Sequence, residues 1–418
     1  MMKAMKRAAL AAAAILVLGS GAVAALFLYR LQKGHDVQGS STIEFVTTAP
    51  LVPEPASNAI LWPMFGFDAE RLHFRPGVHM RPPFRTAWVA GGDSLLEFPP
   101  AIAYGRLFLS NGSGLLLAFG AKSGRRAWAY KSKRCVASSP AVGDFKRGTV
   151  YATFLNRKPC NAQRTDDGEV VALSVGTGEL RWRRRLGPSE SSPLLANGRV
   201  YVGDWLGNVY ALDARTGKTV WEYHTGGKIK GAVALGGKRV YVGAYDGWLY
   251  ALDARTGRLV WRASGDSRLF GHGTFYSTPA LAYGRVYIGS TDGKVYSFGA
   301  TTGKRRWSHH TGGYVYGSPA IWRQLVLIGS YDHTFYAFDA ATGNVRWRFK
   351  ANGPISGSAT VVGGVVYFAT LKGRTYGLDA ATGSQLWSFP DGKYSPVVAD
   401  KHRLYLVGYG KLYGFTPH

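Results

Sequence analysis

The chain has 418 residues and a formal net charge of +26, from 51 Lys and Arg against 25 Asp and Glu. Apolar residues make up 46% of it, which excludes wholesale disorder, and two cysteines are too few for a disulfide-built fold or a zinc site made of cysteines alone. The 55 glycines, 24 tyrosines and 12 tryptophans point to tight turns between aromatic-rich strands, and the positive charge points to acidic partners.

Residues 1–7 carry Lys3, Lys6 and Arg7 and no acid; the uncharged run Ala8–Tyr29 follows, then Arg30 and Lys33. A helix over that run rises about 33 Å, enough to cross a bilayer core. The basic start predicts a cytoplasmic tail over 1–7, a transmembrane signal anchor over 8–29 and everything after it outside the cytoplasm. The expected location is the bacterial cell membrane, single-pass. Ala22-Val23-Ala24 would satisfy a signal-peptidase site, so a secreted, cleaved form is the alternative. No Cys lies in or just after the run, so a lipoprotein anchor is not expected. Residues 30–60, with Pro50, Pro53 and Pro55, read as an extracytoplasmic linker.

Beyond the linker the chain repeats itself. Asp213-Ala-Arg-Thr-Gly-Lys-Thr-Val-Trp221 recurs at Asp253–Trp261, Asp339–Trp347 and Asp379–Trp387, and looser copies end at Trp128, Trp182 and Trp307. Trp88 lies 40 residues before Trp128, and the later spacings are 54, 39, 40, 46, 40 and 40. Within a repeat, Ser191–Leu195, Gly198–Gly203, Val209–Asp213 and the Trp segment each alternate with period two, which predicts four strands. Asp246-Gly247 and Asp292-Gly293 suit tight turns. The Asp of Asp-Ala-x-Thr-Gly is placed to accept turn amides, and the Trp to pack against the next repeat.

Four-stranded units of about 40 residues make a β-propeller. The stretches Arg403–Gly408 and Lys411–Phe415 supply inner strands without a Trp strand, and the segment around Trp88 supplies a Trp strand without inner ones. Together they complete a blade. The predicted fold is all-β: an eight-bladed β-propeller of four-stranded blades over residues 61–418, closed by its N- and C-terminal strands and preceded by one transmembrane helix. The blade tryptophans are Trp88, Trp128, Trp182, Trp221, Trp261, Trp307, Trp347 and Trp387.

The A-x-T-G-x-x-x-W repeat resembles the pyrroloquinoline quinone (PQQ) β-propeller repeat, and Trp62-Pro-Met-Phe-Gly-Phe-Asp68 resembles the lead-in to many such domains. The resemblance implies a ring similar to those of quinoprotein alcohol dehydrogenases and BamB-type assembly factors. In the former it implies PQQ held through calcium beside two adjacent cysteines. Cys135 and Cys160 are 25 apart, and the near-constant spacing leaves little room for cofactor loops. No cofactor, metal ligand or catalytic residue is therefore assigned. A quinone-dependent envelope oxidoreductase is the alternative to a non-catalytic binding or scaffolding module.

Two repeats are long. The second holds the insertion 156–168 with Cys160, and Cys135 lies in the same blade; outside the cytoplasm a disulfide is expected. The fifth holds the extra residues 263–275, expected over the channel mouth with Arg268 and His272. The connections from Trp strand to next inner strand share one face of the ring. Their candidate binding residues are Lys131, Lys133, Arg134, Arg183, Lys228, Lys230, Arg268, His272, His309, Tyr314, Tyr316 and Lys393. Such a face would take an envelope protein or an anionic polymer; nucleic acid is not expected there, and a monomer is.

Overall fold

The computed structural model describes residues 43–48, 59–158, 160, 167–268 and 271–418, with the backbone alone at 267–272, and shows Gly21, Val23 and Ala24 as helical. The predicted cytoplasmic tail and, apart from those three positions, the predicted membrane span lie outside the described residues. Among the described residues no helix is long and apolar enough to cross a membrane.

Eight antiparallel blades form the body. The third is typical, running from the channel outward as Leu194–Ala196, Arg199–Gly203, Asn208–Asp213 and Thr219–His224. Second and third strands are buried on both sides between neighbouring blades, so they are almost continuously apolar. Outer strands such as Val345–Lys350 alternate exposed and half-buried positions, because one face meets water. In the eighth blade the outer strand Phe84–Gly91 pairs with Lys411–Pro417, which pairs with Leu404–Val407. The two ends of the chain therefore share a sheet, as the repeat arithmetic predicts, and the closed ring leaves no long open edge.

The repeat motif locks each blade to the one before it. The Trp182 indole N–H donates to the Ala214 carbonyl of the next blade at 3.1 Å, and its ring lies on Gly217 of the same turn. Gly217 has φ +71°, and a Cβ there would stand 2.6 Å from the ring. Trp221 and Trp307 bind Ala254 and Ala340 in the same way, both at 3.0 Å. Asp213 Oδ1 accepts the amides of Arg215 and Thr216 and the Thr216 hydroxyl, which shapes the turn that receives the ring. Its hydroxyl and amide donors hold the Asp213 carboxyl below the usual range, against a smaller opposing effect of burial. Ala-x-Thr-Gly and Trp are thus the two halves of one joint, supplied by adjacent blades.

Residues 60–80 have no counterpart in the repeat. They run around the inside of the ring, touching blade after blade. Ile60–Trp62 pairs with Ala101–Ala103 of the first blade. The carbonyls of Pro63, Ala69, Glu70, Leu72 and His73 then accept the inner-strand amides of Val142, Leu235, Leu281, Ile321 and Val361. Phe74–Arg75 adds a parallel strand to the seventh blade. The inner strands would otherwise present a row of unpaired amides to the channel; this segment satisfies them. Arg71 is fully buried and donates to the carbonyls of Phe65, Ser192, Pro193 and Val233, tying the segment to two blades. Burial lowers its pKa to about 9 and raises that of neighbouring Asp68 to about 8.

Candidate functional site

Connections from each outer strand to the next inner strand lie with the second-to-third-strand turns on one face, here the mouth face. First-to-second and third-to-fourth turns lie on the opposite one, the turn face. All eight connections contribute to one bowl of about 350 Å³ at the channel mouth, among them residues 97–99, 190–192, 230–232, 276–278, 316–318 and 394–396. Phe65 of the N-terminal segment also lines it.

Its chemistry is one ammonium, two carboxylates and an arc of phenols. The Lys230 ammonium sits 3.1 Å from Glu190 and over the rings of Trp205 (4.8 Å), Tyr276 (5.6 Å) and Tyr245 (5.7 Å). Tyr276, Tyr316, Tyr331 and Tyr314 follow one another in edge or tilted contact around the rim. Burial, with Glu190 beside it, pushes the Tyr276 phenol well above its usual range, and burial raises Tyr245 and Tyr316 too. These groups stay protonated and act as hydrogen-bond donors. Burial and Glu190 also raise the Glu97 carboxyl, which has no hydrogen-bond or ion-pair partner among the described residues. Such a bowl can stack a flat or apolar group, bind hydroxyls and accept from a cation.

The sequence-predicted site residues scatter. Lys230 and Tyr316 line the bowl, and Tyr314 stands exposed at its rim. Lys228 lies over Trp205, and Lys393 over Tyr409 and Tyr394. Lys131 and Lys133 are exposed. Arg134 is buried, 3.2 Å from Glu169, and Arg183 meets the same carboxylate at 2.9 Å, so both hold the second blade together. Cys135 and Cys160 form a disulfide. His309 packs on Phe338 of the sixth blade, between blades and away from the bowl. Arg268 and His272 belong to a two-stranded hairpin, and their side chains lie outside the described residues. Asp266, at the hairpin's root, binds Lys294 and Arg305 on the outer half of the fifth blade, not the channel rim. Sequence reading missed Glu97, Glu190, Trp205, Tyr245 and Tyr276. Glu97, Glu190 and Tyr276 each sit in a different connection at a similar offset before an inner strand, a register that a repeat alignment exposes.

Charge divides between the faces in an unexpected way. Basic mouth-face groups such as Lys133, Arg134, Lys228, Lys230, Lys372 and Lys393 are matched by Asp93, Glu97, Asp167, Glu190, Asp204, Asp246, Asp266, Asp292, Asp332 and Asp391. Several of these acids are turn residues: Asp246, Asp292 and Asp332 each accept a turn amide and a tyrosine hydroxyl. The turn face is different. Lys122, Arg125, Lys146, Arg147, Arg215, Lys218, Lys238, Arg255, Arg258, Lys304, Arg323 and Lys401 are exposed in its turns, against the exposed acids Asp144 and Glu179.

The bowl does not fit a calcium-bound quinone. Its Glu190 carboxylate is already paired with the Lys230 ammonium, and the cysteines are bonded to each other across 25 residues instead of adjoining in sequence. Among the described residues no three His, Cys, Asp or Glu side chains gather as metal ligands.

A closed, eight-bladed propeller with a bowl at its channel mouth is the class of protein that fold and site define. The family model described as outer membrane protein assembly factor BamB, a PQQ-like repeat model, matches residues 83–184, 166–324 and 315–417, and the chain belongs to that family. BamB of Bordetella pertussis is 30% identical over 158 residues, 37% of this chain and 36% of that protein. The chain thus aligns with little more than a third of that relative. BamB of Moraxella catarrhalis superposes with a TM-score of 0.64 at 21% identity, covering 80% of this chain and all of that one. The quinohemoprotein alcohol dehydrogenase of Comamonas testosteroni superposes with a TM-score of 0.71 at 16% identity, covering 86% of this chain and 81% of that one. Both likenesses are of fold.

Proposed function

We propose that this protein is a non-catalytic binding and scaffolding module of the bacterial cell envelope, held at the membrane by residues 8–29, with the channel-mouth bowl as its docking site. The observation that carries this reading is the convergence of all eight connections on one bowl that Phe65 of the chain's own N-terminal segment also lines. Its phenols, protonated at neutral pH, and its carboxylates suit a segment of a partner protein. The relatives named as assembly factors support the same reading.

The test is a photo-crosslinking residue at Tyr314 or Tyr316 in intact cells. A discrete adduct with an envelope protein, lost in a variant carrying Glu190→Ala and Lys230→Ala, is the expected result. No adduct at either site, or dye reduction with a bound-quinone spectrum after PQQ and calcium are added, overturns it in favour of the oxidoreductase alternative.

A further inference from the structure

The turn face carries exposed basic residues with few exposed acids, and it also receives the chain's own N-terminal stretch. Residues 43–48, in the stretch read as linker, lie against the fifth blade. Phe45 stacks on Tyr283 at 5.3 Å, and the Val46 amide donates to the Tyr283 carbonyl at 3.0 Å. Arg285 donates to the Ile43 carbonyl at 2.8 Å. The Glu44 carboxylate accepts from Thr302 at 2.8 Å and pairs with Arg306, in a notch where Gly299 has no Cβ to obstruct it. Tyr283, Gly299 and Thr302 belong to, or border, turns of the turn face. Beside this clip, Ile43 and Val46 are 48% and 54% exposed, two apolar side chains on a basic surface.

Thirteen residues separate Tyr29 from Ile43. Fully extended they span at most about 50 Å, so a chain anchored at 8–29 keeps the clip close to the bilayer. From this placement the geometry points to a second interaction surface: the turn face docks on the anionic phospholipid headgroups of the membrane that holds the chain, so that the bowl faces away from it. The proposal rests on the envelope reading above. Basic groups recur on seven of the eight blades, for example Lys122, Lys146, Lys218, Arg255, Lys304 and Lys401. A broad, flat distribution of this kind fits a planar charged surface better than a single anion, and short-range screening makes the contact sensitive to salt.

Fluorophores placed at Arg258→Cys on the turn face and at Tyr314→Cys on the bowl rim report the orientation, since both native cysteines are in the disulfide. The full chain is reconstituted in nanodiscs containing nitroxide-headgroup lipid. In discs with anionic phospholipid, quenching at 258 should exceed that at 314 several-fold. It should fall to the level at 314 in zwitterionic discs, at high salt, and when Lys122, Arg125, Lys218 and Arg255 are changed to Glu without loss of thermal stability. Equal quenching at both sites, stronger quenching at 314, or indifference to lipid charge overturns the proposal. If the chain separates from the discs, the anchor reading fails instead, and the surface is tested by sedimenting the free chain with vesicles. Pelleting with anionic but not zwitterionic vesicles supports the surface; equal pelleting with both, or binding to heparin without vesicle binding, overturns it.

Discussion

Trp182 and Gly217 show how one residue of the motif requires another. The ring of the first occupies the space that a Cβ on the second would take, and the indole N–H needs the carbonyl three residues earlier in the same turn. Trp182→Ala removes a large packed side chain and should cost about 3–5 kcal/mol. Gly217→Ala adds left-handed strain of about 1–2 kcal/mol to a steric clash. Once the ring is gone only the strain remains. Chemical denaturation of the two single variants and the double variant should therefore give a double variant more stable than the sum of the single losses by 1 kcal/mol or more. Strict additivity would show that the ring does not rest on this glycine.

Two added elements, the N-terminal inner segment and the inserted loop, are held by different means. The segment depends on Arg71, whose fully buried guanidinium serves four carbonyls. Arg71→Ala leaves those acceptors unpaired and should cost at least about 3 kcal/mol in equilibrium unfolding; a loss below 1 kcal/mol would mean that the segment is held by its backbone bonds alone. The inserted loop of the second blade depends on the Cys135–Cys160 disulfide. Closing a loop of 25 residues contributes roughly 3 kcal/mol, so reduction should lower the melting temperature, and iodoacetamide should label neither cysteine under denaturing, non-reducing conditions. The tether clip adds a pH dependence. Burial works against it, but Arg306 and Thr302 hold the Glu44 carboxyl below its usual range. A depressed carboxyl stabilises above its unfolded pKa and loses that contribution as pH falls through the folded one. The protection of the Val46 amide against hydrogen exchange, taken relative to its intrinsic rate at each pH, should accordingly fall below about pH 4 and stay flat from pH 5 to 8.

At the scale of the whole molecule, closure depends on one composite sheet. Lys411–Pro417 pairs with Phe84–Gly91 along its whole length, so it joins strands more than 300 residues apart. Deleting 411–418 opens the ring at both ends of the repeat and strips Trp88 of its sheet. A broad or absent unfolding transition in calorimetry is the expected outcome, and a sharp transition within a few degrees of the intact chain would show that the other blades hold the ring by themselves. Ring closure also sorts the charge. Successive strands alternate direction, so successive turns fall on opposite faces. The basic residues of the Thr-Gly turns therefore gather on one side and the acids of the Asp-Gly turns on the other.

How much of this was legible beforehand follows from the range of each interaction. Blade number, strand count, the Trp register, the turn acids and the composite blade all derive from a period of about 40 residues. Each blade buries its faces against its neighbours, so every repeat must carry the same local signals. By itself the sequence determined that architecture, together with an uncharged run fit to span a membrane. Only the tertiary structure decided what non-repeating contacts decide. Residues 60–80 carry no period, since each amide they accept belongs to a different blade, and Arg71 reaches carbonyls 121 to 162 residues away. Arg134 looked like a surface group because position in a connection says nothing of burial, while Arg183 and His309 lie on outer strands, where one meets Glu169 and the other packs on Phe338. The bowl with Glu97, Glu190, Lys230 and Tyr276, and the basic face behind it, exist only when eight separate loops meet around one axis. A linear chain does not encode that meeting at any single position, because the neighbours that define the site are about 40 residues apart and become adjacent only through ring closure.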